Sequence, residues 1–185
     1  MNWVVSACVA VSAVGVLAEQ RIVTNHADGH LKRLFPRAVA FSSLSGTPLH
    51  FKVYGADPIS VPKPLPIGLA FWTTDLVPDE RAYHGPIHLF VGMDMTGVLS
   101  GVVVDYNAEP YGNFSVDLPE FAAQFTGKSI RAPFRVGEDV QAVSRASISI
   151  TSATRAIRDS SRAMAKRFLD PALLKAGPAG PNQQP

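Results

Sequence analysis

Three short segments of the sequence contain the candidate functional residues. The first, residues 139–149, is a run of hydroxyls and small side chains just upstream of a predicted helix. Small residues let a ligand approach the backbone, and the free N–H groups and positive dipole end at a helix entrance favour phosphate. A serine-rich strand or helix cap that binds nothing has the same composition, and the residues alone favour that simpler interpretation.

The second segment, residues 79–88, places two histidines four positions apart, His84 and His88. A metal site needs further ligands, and Gly85-Pro86 between the histidines excludes a helix that would bring them together. We therefore predict no metal here. The same glycine and proline would allow a backbone turn to approach a planar ring.

The third segment, residues 106–112, follows a predicted strand with a carboxylate, two tyrosines and a glycine. These residues suit either an ordinary turn or the edge of a cofactor site. The sequence contains no nucleophile elbow, no glycine-rich dinucleotide motif, no P-loop and no HExxH zinc motif. Its one cysteine, Cys8, excludes an intramolecular disulfide and every CxxC site, and with them iron–sulfur and c-type haem chemistry.

Length and charge restrict the class of protein further. A chain of 185 residues is long enough for one domain with short appendages, and 17 basic against 15 acidic residues gives no nucleic-acid signature. The basic residues gather only towards the C-terminus, where near-helical spacing indicates either a solvated face or a docking surface for an acidic partner or lipid headgroups. They are Arg155, Arg158, Arg162, Lys166 and Arg167.

The elements that would position these segments begin with strands. Apolar and β-branched runs predict strands at residues 68–73, 87–91 and 97–104, and looser alternation at residues 41–54 predicts a further strand or hairpin. Residues 92–97 are predicted to connect two of these strands as a hairpin, with a glycine at each strand end. Three consecutive strands of this kind predict an antiparallel sheet.

Two helices complete the predicted α+β fold. Residues 118–125 are predicted to form a short helix, with Asp117 as its N-cap, a proline near its first turn and Gly127 after its end. Apolar side chains at helical spacing predict a longer helix over residues 152–169.

The two ends of the chain are predicted to be appendages. Residues 3–18 form an apolar run that is short for a transmembrane helix, which needs about 20 residues, so it fits a signal peptide or a tightly fitted anchor. The domains expected are an anchor or signal segment at 1–20, an N-terminal extension with strands and a proline-rich connector at 21–65, a main domain at 66–170 and a disordered tail at 171–185.

Taken together and in order, the three segments resemble the FMN-binding domain of NosR-type regulators and of the Rnf and Nqr redox complexes. The resemblance covers roughly residues 66–169 and is carried by residues 83–94, Gly97, 101–110, 121–129 and 142–149. It implies an antiparallel sheet packed with helices, preceded by one N-terminal hydrophobic helix.

In that family a Ser-Gly-Ala-Thr sequence carries FMN as a phosphoester on the threonine hydroxyl, installed by a separate Mg²⁺-dependent flavin transferase that uses FAD. Residues 144–147 correspond, which makes Ser147 the implied acceptor, with arginine in place of glycine and serine in place of threonine. The resemblance implies further cofactor contacts from Ser144, Arg145, Ala146, Ser149, Tyr83, Gly85, Pro86, Glu109, Pro110, Tyr111 and Gly112.

A second hydroxyl-rich sequence, residues 151–154, also looks like the attachment motif. We prefer Ser147, because Ala142-Val143 and Ile148-Ser149 flank it as the family pattern expects. Thr154 should lie inside the long helix, where a backbone carbonyl of an earlier turn would take its hydroxyl.

The resemblance also implies a cellular location. Members of the family usually sit behind an N-terminal membrane segment and face the periplasm, so we expect an inner-membrane anchor in residues 3–18 and a membrane redox complex or integral membrane subunits as partners. The basic residues after the apolar run would instead put the domain in the cytoplasm. The function implied is that of a membrane-associated FMN-binding electron-transfer protein or subunit, with the flavin attached through its phosphate. The alternative is an accessory or regulatory subunit of a membrane complex that keeps the fold without flavin.

Overall fold

The computed structural model describes residues 27–172, and at its centre lies a five-stranded antiparallel sheet in the order β1-β2-β3-β4-β5. The predicted sheet is confirmed, and the strands predicted at residues 68–73, 87–91 and 97–104 correspond to β3, β4 and β5. The strands are β1 Ala40–Phe41, β2 Phe51–Tyr54, β3 Pro66–Trp72, β4 His88–Asp94 and β5 Leu99–Tyr106.

Helices cover both faces of this sheet, because alternate residues of a strand point to opposite sides. In β4, Leu89, Val91 and Met93 face one hydrophobic core, while Phe90 faces the other. Helix α1, residues 27–34, covers the second core. The remaining helical segments are α2 Thr73–Leu76, a 3₁₀ turn at Gly112–Phe114, α3 Pro119–Ala123 and α4 Ser147–Phe168.

The predicted α+β class is therefore confirmed for the described residues. The proposed anchor at residues 3–18 and nearly all of the proposed disordered tail lie outside them. Within residues 27–172, no helix has the length and apolar character needed to cross a bilayer.

The long helix begins five residues earlier than predicted, at Ser147 instead of Ser152. Serine favours caps and turns over helix interiors, so the serine-rich segment gave no helix signal. Burial of Ser149 and Ile150 against the rest of the domain stabilises the extra turn. The residues predicted to precede the helix thus form its entrance.

Two details of the prediction were wrong. Asp117 does not cap α3, whose N-cap is Leu118 with no side-chain hydrogen bond, because the Asp117 carboxylate accepts a 2.6 Å hydrogen bond from the Asn107 amide instead. Gly92 is not in the hairpin turn but inside β4, opposite Gly101. A Cβ at Gly92 would lie 2.8 Å from the Phe35 ring, so the glycine allows the segment after α1 to pack on the sheet.

Candidate functional site

A cleft of about 290 Å³ opens at the end of the sheet where β4 begins and β5 ends. All three sequence segments singled out above contribute to its wall, although they are far apart in the chain. The lining residues are Tyr83, Glu109, Pro110, Tyr111, Arg145, Ala146, Ser147, Ile148 and Ser149.

One buried carboxylate, that of Glu109, joins the three segments. Its oxygens accept hydrogen bonds from the backbone N–H groups of Tyr83 at 3.2 Å and His84 at 2.7 Å. The hydroxyl of Ser149 donates to it as well, at 2.5 Å. Because hydrogen bonds to an ionised acceptor are the stronger kind, this carboxylate fixes the first turn of α4 against both loops.

The entrance of α4 is open to a ligand. Its N-cap is Ala146, which has no side chain able to cap, and its first turn contains no acidic residue. The N–H groups of the first turn of a helix have no partner within the helix, and the helix dipole adds partial positive charge there. This end of α4 can therefore accept an anion from the cleft.

The hydroxyls near this entrance differ in what they bind. Ser149 is bonded to Glu109, and the buried Thr154 donates to the carbonyl of Ile150 at 2.7 Å, as predicted for a threonine inside the helix. Ser147 is exposed, and within residues 27–172 its hydroxyl makes no hydrogen bond. Ser144 is also exposed and makes no hydrogen bond among the described residues, but it lies beside the cleft, whereas Ser147 lines it.

Comparison with protein-family models gives a match to the FMN-binding domain over residues 82–161, which run from the cleft segment at Tyr83 through β4, β5 and α3 into α4. The chain contains an FMN-binding domain. The resemblance noted from the sequence is confirmed, and FMN is the cofactor that this domain indicates. A search of curated proteins found no match.

The cleft of this FMN-binding domain fits part of an FMN molecule. Small-molecule sites usually have volumes of about 300–1,000 Å³, so a cleft of about 290 Å³ is at the lower limit. The open entrance of α4 suits the phosphate. The side chains of Tyr83 and Tyr111 are exposed, and their aromatic rings offer apolar surface to a planar ring.

Arg145 stands in the FMN-binding domain where the family attachment motif has glycine, and its backbone has a conformation that favours glycine. Its φ of 69° lies in the left-handed region, which glycine adopts freely and other residues adopt at a cost. Its side chain is exposed and, among the described residues, forms no ion pair. The guanidinium is therefore available to an anion at the mouth of the cleft.

Four of the predicted cofactor residues do not line the cleft. Ser144 lies next to the lining residue Arg145, and Gly85 and Pro86 lie in the loop after Tyr83. Gly112 is buried, and a Cβ there would lie 2.4 Å from the Asn107 amide oxygen, which shows that this glycine is needed for packing. Ile148 was missed by the sequence reasoning, although it lies between two predicted residues and is exposed at the cleft.

The C-terminal basic residues are mostly engaged within the domain. Arg155 pairs with Glu80 at 2.8 Å, and Arg158 pairs with the neighbouring Asp159. Arg162 and Arg167 donate to backbone carbonyls of other segments. Arg155, Arg162 and Arg167 thus connect α4 to other segments of the domain.

Proposed function

We propose that the domain holds FMN in the cleft, with the flavin phosphate at the first turn of α4 and the ring beside Tyr83 and Tyr111. The observation that carries the proposal is the uncapped helix entrance, with no acid in its first turn, at the mouth of a cleft within the matched region. The N–H groups there would orient the phosphate, and Arg145 would add a compensating charge.

We further propose that Ser147 is the site of covalent attachment. Its hydroxyl is exposed at the cleft and unengaged among the described residues, whereas those of Ser149 and Thr154 are already used. In the transfer step, the Ser147 oxygen would form a phosphoester with the FMN part of FAD, the hydroxyl would lose its proton, and AMP would leave.

The function that follows is electron transfer. Bound FMN supplies one-electron and two-electron chemistry, and the protein supplies its orientation and electrostatic surroundings. The small cleft would leave a ring edge accessible to a redox partner. We propose a membrane-associated carrier or subunit of a membrane redox complex, with the domain in the periplasm.

A second candidate is an accessory subunit that keeps the fold without flavin. The observation in its favour is Arg145, which occupies a left-handed backbone position where a phosphate-binding turn would be less strained with glycine. The two candidates differ in whether the purified protein contains flavin.

The test is to purify the protein from cells that also make a Mg²⁺-dependent flavin transferase and to record its visible spectrum. We expect flavin absorbance, and flavin that remains with the protein after denaturation. A colourless protein that takes up no FMN on titration would reject flavin binding and favour the accessory subunit.

Two serine variants separate attachment from binding. Ser147→Ala should lose the denaturation-resistant flavin and still bind added FMN. Ser144→Ala is the matched control, because it removes another exposed hydroxyl three residues away, and it should retain covalent flavin. Covalent flavin that persists in Ser147→Ala would contradict attachment at this residue and leave the binding proposal intact.

A further inference from the structure

The end of the sheet opposite the cleft carries a cluster of exposed apolar side chains that packing does not explain. The connection between β2 and β3, residues 55–65, is called the proline loop here. Ile59 is 94% exposed and Leu65 is 86% exposed. Three further apolar residues in or next to the loop are exposed: Val61 within it, Ile67 soon after it, and Val39, whose N–H donates to the carbonyl of Tyr54 just before it. Apolar clusters of this kind on a protein surface mark interaction sites.

The part of the proline loop that contains its prolines has few free backbone hydrogen-bond donors. Among residues 58–66 four are prolines, which have no N–H group. Three more N–H groups are bonded to Asp57: Ile59 donates to its carboxylate, and Ser60 and Val61 donate to its backbone carbonyl. Only the N–H groups of Lys63 and Leu65 are left in this stretch. An unpaired backbone donor is costly in an apolar environment, and residues 58–66 keep only these two.

The charges around the loop suit an anionic surface. Lys63 lies among the exposed apolar residues, and Arg37 lies in the turn that leads to Val39; both are exposed. The one carboxylate within the loop, Asp57, accepts hydrogen bonds from the loop itself. Basic side chains beside protruding apolar ones are the combination that binds anionic headgroups and inserts between them.

We propose that the proline loop docks on an anionic lipid bilayer, with Ile59 and Leu65 entering the interface and Lys63 and Arg37 contacting headgroups. This contact is separate from the apolar segment at residues 3–18 and does not depend on flavin binding. It would set the orientation of the domain. The loop leads into the first residue of β3, which lies beside the end of β4, whereas the cleft lies where β4 begins. Seven residues of strand separate the two and span about 23 Å. The cleft would therefore face away from the lipid.

The test uses a fluorophore that responds to polarity, attached to a single cysteine in the full-length chain. In a Cys8→Ser background, Leu65→Cys carries the label in the loop. Phe114→Cys carries the same label at another exposed apolar position, at the cleft end. Vesicles of phosphatidylcholine with phosphatidylglycerol should shift the emission to shorter wavelength at position 65 and leave position 114 unchanged. Because residues 3–18 are present in both proteins, insertion of that segment alone cannot produce the difference.

Lipid docking is overturned if the label at position 65 does not respond to vesicles, or if both positions respond equally. It is also overturned if the same shift develops without vesicles as protein concentration rises, because a second copy of the chain would then cover the loop. Adding Lys63→Gln should weaken the apparent affinity for anionic vesicles about fivefold. An unchanged affinity would overturn the role assigned to this charge.

Discussion

The hydroxyl of Ser149 and the carboxylate of Glu109 are hydrogen-bonded at 2.5 Å, across 40 residues of sequence. Ser149 lies in the first turn of α4, and Glu109 lies in the loop after β5, where it also receives two backbone N–H groups from the loop before β4. The shape of the cleft therefore depends on one acidic side chain.

Glu109→Gln tests this dependence. The amide that replaces one carboxylate oxygen cannot accept the hydrogen bonds made there, and the charge that strengthens all of them is lost. We expect the free energy of unfolding, measured with denaturant, to fall by about 2 kcal/mol. Ser149→Ala removes one donor of the three and should cost about 1 kcal/mol. Equal stability of Glu109→Gln and the unchanged protein would show that the carboxylate does not hold the site together.

Arg145→Gly should affect stability and flavin binding in opposite directions. Glycine relieves the left-handed backbone strain, so thermal unfolding should show a gain of about 1 kcal/mol, while loss of the guanidinium should weaken FMN binding. Arg145→Ala is the matched control, because it removes the guanidinium and keeps the Cβ. It should weaken FMN binding similarly without the gain in stability. Tighter FMN binding by both variants would refute a role for this charge.

Asp139 should make stability depend on acid pH. Burial alone would raise the pKa of its carboxyl, but hydrogen bonds from the Arg135 N–H, the Lys128 ammonium and the Phe134 N–H outweigh burial and hold the pKa below its ordinary value. Because the pKa is lower in the folded than in the unfolded chain, the carboxylate stabilises the fold above about pH 4, and this contribution is lost as the pH falls further.

Asp139→Asn should consequently be less stable than the unchanged protein by about 2 kcal/mol at pH 7. The gap between the two proteins should narrow as the pH falls below about 4, since protonation removes the same charge from Asp139. Denaturant unfolding across this range measures it. A gap that stays constant down to acid pH would mean that the charge of Asp139 contributes nothing to the fold.

Gly92→Ala tests how closely the segment after α1 approaches the sheet. The added methyl group would lie 2.8 Å from the Phe35 ring and would also collide with the Ser100 hydroxyl, so we expect a loss of about 1–3 kcal/mol. Phe35→Leu in the same chain should recover part of the loss. Gly29→Ala is the control. It lies in α1 with nothing within 4 Å of the new methyl group, and it should be neutral or stabilising.

The sheet could be predicted because its signal is local. Apolar and β-branched runs such as those of β4 and β5 mark strands whatever packs against them. Helix α1 was not predicted, although Ala27, Leu31 and Leu34 have the spacing of one helical face. The helical spacing of these apolar residues is present in the sequence, but the prediction for residues 21–65 was an extension with strands.

The site was predictable only as a set of segments. Glycines, tyrosines and hydroxyls marked the three pieces, and they do meet at one cleft. The sequence could not show that Glu109 would bind the other two segments, because its partners lie 25 and more residues away and two of them are backbone N–H groups. The early start of α4 depends on the same long-range packing.

Attachment of FMN to Ser147 is tested by locating the flavin on tryptic peptides of protein made together with the transferase. Cleavage after Arg145 and Arg155 releases residues 146–155, which contain both Ser147 and Thr154, while Ser144 falls in the preceding peptide. Fragment-ion sequencing should place the mass of FMN, less water, on Ser147. The same mass on Thr154 or Ser144 would contradict attachment at Ser147, and no flavin in either the intact protein or its peptides would contradict the account of the cleft as an FMN site.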